Sequence, residues 1–150
     1  NFHPIKEVAI LFVGIFATML PALDWLQQNA AKLMGSTPEP ALFYWGSGAL
    51  SSVLDNAPTY LSFVSALMGA AQDTDVPRLI ATNGLSLVAI SVGAVFFGAC
   101  TYIGNGPNFM VKSIADQQKI NTPTFLGYVF KFTLPFMLPM LFIVWLIYFR

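Results

Sequence analysis

Asp55, Asn56 and Thr59 stand in the run Leu54-Asp55-Asn56-Ala57-Pro58-Thr59, and Asn105, Gly106 and Asn108 in the run Gly104-Asn105-Gly106-Pro107-Asn108. The first run offers a carboxylate, an amide and a hydroxyl. The second offers two amides and, around its glycines and proline, carbonyls freed from helical hydrogen bonding. Brought together, the two runs form an oxygen-rich nest with one formal negative charge, suited to a hard monovalent cation or a proton. Asp55, Asn56 and Asn105 are the candidate sodium ligands. The positive end of a half-helix starting near Pro107 also suits an anionic group. His3 and Cys100 are the only histidine and cysteine, too few for a transition-metal cluster or an intrachain disulfide. The expected cargo of the site is therefore a sodium ion, a proton or both, with no other cofactor.

Composition places these residues in a membrane. The chain is 56% hydrophobic and 9% charged, with mean hydropathy +0.67, whereas about a quarter of an ordinary soluble domain is charged. Seven basic and seven acidic residues cancel, and no basic stripe with interleaved aromatics points to nucleic acid. The charges gather between apolar runs, with Asp55 the exception. A carboxylate at membrane depth costs about 2.5–3.5 kcal/mol on insertion scales, so by default it has a function and a partner. Away from bulk water a lone carboxylate can hold a proton or a cation, the competition that exchange requires. The simpler reading is that Asp55 caps a helix with Pro58 in its first turn. For Asn105 and Asn108 the simpler reading is turn chemistry beside Gly104 and Gly106. Ser47, Ser51 and Ser52 read as small packing residues, and Lys131 as a snorkelling side chain at a helix end.

The elements that must position these groups follow from apolar runs and their interruptions. Residues 8–23 read as a span and 24–34 as an amphipathic helix lying on the surface, ended by Gly35-Ser36-Thr37-Pro38. Residues 40–72 read as a re-entrant hairpin, because neither arm reaches the about twenty residues that a crossing needs. Residues 79–116 read as a broken helix, with Gly84, Ser86, Ser91, Gly93, Ala94 and Gly98 available for close packing, and 124–149 as a last span kinked at Pro135 and Pro139. Lys112, Asp116, Gln117, Gln118 and Lys119 lead out to water. Non-helical backbone at membrane depth must be buried by protein or wetted, so the two breaks are expected to meet. Lys and Arg placement weakly favours a hairpin mouth outside the cytoplasm.

This order of elements resembles one repeat of the ion transporter superfamily, which includes citrate and divalent-anion/sodium symporters, arsenite permeases and NhaD-type sodium/proton antiporters. Asp55-Asn56-Ala57-Pro58-Thr59 is similar to the Ser-Asn-Thr hairpin tip of the symporters, and Gly104-Asn105-Gly106-Pro107-Asn108 to their Gly-Thr-Pro-Pro-Asn break. The resemblance implies that 1–150 is the C-terminal repeat of an inverted-repeat, elevator-type transporter. It further implies a missing N-terminal repeat that completes the site, a homodimer in lipid, and a location expected to be the bacterial inner membrane. Asp55 stands where the symporters carry serine, and no basic residue accompanies the tip, which together favour sodium/proton antiport over citrate, dicarboxylate or arsenite transport.

Other classes fare less well. An intramembrane aspartyl protease needs two aspartates at depth and a rhomboid-like enzyme a serine and histidine together, neither of which the sequence supplies. No enzyme is expected. Gly104 to Asn108 lacks the lysine of a phosphate-binding loop. A channel or scaffold subunit is the alternative of another class.

Overall fold

The computed structural model describes residues 3–34 and 39–150, with side chains from residue 10 onward except 11–12, 15–16 and 33–34. The expected helix end at Gly35-Ser36-Thr37-Pro38 and the side chain of His3 lie outside the described residues. All regular elements among the described residues are helical.

Helix α1 runs from His3–Met34 without interruption. The sequence divides this segment into a span and a surface helix at Asp24, whereas the backbone continues through it. Nothing at Asp24 stops the hydrogen-bond ladder, and its carboxylate accepts from the Gln28 amide at 3.0 Å, one turn on. Pro21 leaves the Ala17 carbonyl without its usual donor, yet the helix continues.

Helix α2, Pro40–Ser51, starts with proline at its first position, where the missing amide would be unpaired anyway. After Ser52–Asp55, helix α3 takes Asn56–Ala71, closed by Gln72 in the left-handed conformation at φ 52°. At 12 and 16 residues and about 1.5 Å per residue, neither matches a hydrocarbon layer about 30 Å thick. Helix α4, Val76–Phe96, tightens into a 3₁₀ turn at Phe97–Ala99. Irregular backbone then leads to α5, Gly106–Gln117. Asn83 leaves the helical region inside α4 (φ −126°, ψ 28°), a kink that the sequence reading did not anticipate.

The last helical run starts as α6, Phe125–Tyr128, widens to π geometry over Val129–Met137 and ends as α7, Leu138–Tyr148. Where simple proline kinks were expected, the chain changes its hydrogen-bond register: Leu138 donates to the Thr133 carbonyl, five residues back. Pro135 and Pro139 cannot donate, so the widened spiral redistributes the carbonyls around them.

Helix α1 packs on α3 and α2 on α4, with a smaller contact between α3 and α4. The buried centre is Phe43, Tyr44, Leu67, Ile90 and Phe97, where Tyr44 and Phe97 meet edge-on at 5.3 Å between centroids. Close approach depends on small residues. A Cβ on Gly93 would lie 2.6 Å from the Tyr44 carbonyl oxygen, so α2 and α4 touch backbone to backbone there, whereas Gly84 faces open space. Ser47 and Ser51 are fully buried and donate across the same seam to the Ile90 and Ala94 carbonyls. The 24-residue runs Val76–Ala99 and Phe125–Tyr148, each with mean hydropathy 1.9, are long and apolar enough to cross a bilayer.

Candidate functional site

The irregular segments after α2 and after α4 lie against each other. Thr101 ties them, donating its hydroxyl proton to the Ser52 carbonyl and accepting from the Gly104 amide at 3.0 Å. Gly104 passes so close to the first break that a Cβ there would stand 2.6 Å and 2.7 Å from the carbonyl oxygens of Ser51 and Ser52. From the far side, Gly98 receives the returning loop, its Cβ position lying 3.2 Å from the Gly104 carbonyl oxygen. Thr101, central to this junction, was not singled out by sequence reading. Its only signal was a hydroxyl at the edge of a glycine-rich break.

Two anchors hold the second break to the last helical run. Thr133, buried, donates to the Cys100 carbonyl, and Tyr128 donates to the Ala99 carbonyl at 3.2 Å. Cys100 and Ala99 stand where α4 has ended, so these carbonyls lack helical donors and take side-chain ones instead. Tyr44 ties α2 to α7, donating to the Leu141 carbonyl at 2.9 Å.

Asp55 sits at the head of α3 with extended backbone and makes no side-chain cap bond to its own helix. Among the described residues its carboxylate has no hydrogen-bond or ion-pair partner. It stands beside the second break at Gly106, where a Cβ would lie 3.9 Å from Asp55 Oδ2. Simple capping therefore does not account for the acid. Thr59, buried, donates instead to the Asp55 carbonyl at 3.0 Å, so its hydroxyl fixes the backbone of the tip. Asn105 precedes α5 in extended conformation, also without a side-chain cap bond.

Asn56 and Asn108 line different grooves. Asn56 lines a groove of about 320 Å³ with Tyr60, Ser91 and Val95. Asn108 lines another, of about 410 Å³, with Tyr102, Lys112, Thr122 and Tyr128. No group of three or more His, Cys, Asp or Glu side chains converges on a metal position among the described residues. A monovalent cation needs only one carboxylate with carbonyls and amides, which the junction does contain.

Lys112 does not simply lead out to water. Its ammonium lies 5.5 Å from the centre of the Tyr102 ring, inside the second break. It also pairs with Asp116 one turn on, while Thr122 donates to the other Asp116 oxygen. Outside both spans, Lys112 and Thr122 hold the Asp116 carboxyl below the usual carboxylate range. Lys131 is exposed, with its ammonium over Phe132.

The P protein of Mus musculus is 26% identical over 144 residues, an alignment that covers 87% of this chain and 16% of the mouse protein. The chain thus spans about 16% of the length of that relative, and the mouse source gives no support to the expected bacterial inner membrane. No solved structure matches. Two apolar helical runs of spanning length, together with the family match below, make this an integral membrane protein. A family model described as "Putative citrate transport" matches residues 1–149, and the chain belongs to that family.

Proposed function

We propose that the full-length protein is a secondary transporter that moves a citrate-like carboxylate together with a cation, and that Asp55 holds the coupling sodium ion or proton. The observation that carries this reading is the Asp55 carboxylate, without a partner among the described residues and placed where the two breaks meet. An anionic substrate beside a fixed carboxylate needs a cation between them, so coupling follows from electrostatics. Asn105, whose side chain is not used for capping, and the carbonyls of the broken segments complete the oxygen set in this reading. Thr59 serves by holding the tip. The chain would form one of two inverted repeats, with residues 40–72 re-entering the membrane and the missing repeat supplying the rest of the site.

Sodium/proton antiport is the second reading, favoured because no basic side chain among the described residues neutralises Asp55. One experiment separates the two. Full-length protein in liposomes is given radiolabelled citrate under an inward sodium or proton gradient, and in parallel its internal pH is followed with a dye when sodium is added without citrate. Gradient-driven citrate uptake that falls at least tenfold in Asp55→Asn is the expected result. Sodium-driven proton movement without citrate uptake would replace the proposal by antiport. Flux that shows no counterflow would point to a channel.

A further inference from the structure

We infer that Lys112 is a carboxylate-recognising residue, and that Asp116 occupies it as an internal stand-in while no substrate is bound. The inference rests on the carboxylate reading above and adds the cationic group that the hairpin tip lacks. Of the basic side chains in the described residues, Lys112 is the one with an aromatic or polar partner inside a break, through its ammonium over Tyr102. Its side chain is 19% exposed against 50% for Asp116, so the cation is packed against protein while its counter-ion faces outward. Two grooves share Lys112, one of about 440 Å³ with Tyr102, Phe109, Ser113 and Asp116, the other of about 410 Å³ with Asn108 and Thr122. Both volumes fall in the range that accepts small organic ligands.

The chemistry of exchange is favourable. An ion pair between residues one helical turn apart near water is weak, and an incoming carboxylate of higher charge can replace it without leaving the ammonium unpaired. Thr122, released from Asp116, and the Asn108 amide in the same groove offer hydrogen bonds to the oxygens of the newcomer. Helix α5 buries no side chain fully, so its small displacement on exchange disrupts no core. Binding at Lys112 thus couples substrate occupancy to the half-helix that follows the second break.

The test is equilibrium binding of radiolabelled citrate at neutral pH to purified full-length protein in detergent, for wild type, Lys112→Gln, Lys112→Arg and Asp116→Asn. Lys112→Gln is expected to weaken binding at least tenfold, Lys112→Arg to retain most of it, and Asp116→Asn to tighten it severalfold because the competitor is gone. These opposite signs separate recognition from a merely structural tie, which would make both losses harmful. Should Lys112→Gln fail to elute as a folded species, the direction of the Asp116→Asn shift decides alone. Unchanged binding in folded Lys112→Gln, or Asp116→Asn as weak as Lys112→Gln, would overturn the inference while leaving carboxylate transport standing. Wild-type protein that binds no citrate overturns it together with the carboxylate reading.

Discussion

Asp55 and Gly104 place opposite demands on the same junction, one chemical and one steric. Asp55 keeps a carboxylate that its own helix does not use, whereas Gly104 keeps a space that the carbonyls of Ser51 and Ser52 already fill. A methyl group at position 104 would collide with backbone, which cannot rotate away as a side-chain end can. Gly104→Ala is therefore expected to cost about 1–3 kcal/mol, the usual cost of forcing extra volume into a packed site. Thr101→Val removes the hydroxyl that serves both breaks and leaves the Gly104 amide unpaired, at about 1–3 kcal/mol. Because the two changes strike one contact, the double variant should lose less than the sum. Thermal unfolding of the full-length protein, followed by the monodisperse fraction on size exclusion, measures all three. Independent, additive losses would mean that Thr101 and Gly104 do not act on one junction.

At the scale of elements, the legible features were those with local punctuation. Pro40, Pro58, Pro77 and Pro107 all fall in first turns, where the missing amide costs nothing, and the half-helix read near Pro107 starts at Gly106. The features that escaped have no such mark. Continuity of α1 past Asp24 was hidden because a change from apolar to amphipathic sequence alters what a helix touches without breaking it. The π register of Val129–Met137 was hidden because proline announces a disturbance and not the hydrogen-bond pattern that absorbs it. The return of Lys112 onto Tyr102 is a tertiary event across the second break, invisible to a reading that placed Lys112 in a polar exit. Thr133 shows what the widened segment is for. Its hydroxyl serves the Cys100 carbonyl while its own carbonyl accepts from Leu138, so one residue joins the π register to the end of α4. Thr133→Val keeps the shape and removes the bond, and should cost about 1–3 kcal/mol by stranding a buried carbonyl. Tyr128→Phe, whose hydroxyl is only part-buried, should cost less, about 0.5–1.5 kcal/mol. The same thermal assay ranks them, and equal stability of Thr133→Val and wild type would show that the anchor carries no weight.

For the whole molecule, the distribution of apolar surface decides which solvent the fold was built for. Ile80, Leu85, Val88, Val95 and Phe96 on α4, and Phe130, Phe136, Met140, Ile143 and Ile147 on the last run, are all largely exposed. In water such a surface would drive association, since contiguous exposed apolar patches are rare on soluble monomers. In lipid it faces its own solvent, and the buried contacts between α2 and α4 need only small residues and hydroxyls, as the seam at Ser47, Ser51 and Gly93 shows. Val88 discriminates between the solvents. It is 51% exposed and near the middle of the Val76–Ala99 run. On a soluble protein Val88→Lys would change stability by no more than about 0.5 kcal/mol and would raise solubility. At the centre of a membrane helix the same lysine costs about 2.5–3.5 kcal/mol on insertion scales. Val88→Lys in the full-length protein is accordingly expected to lower the folded, detergent-extractable yield severalfold, with Val88→Leu unchanged and Arg78→Lys, at the water-facing start of α4, equally silent. A Val88→Lys protein recovered at wild-type yield from the membrane fraction would place that face of α4 against water or protein, and with it the junction of the two breaks on a different path through the bilayer.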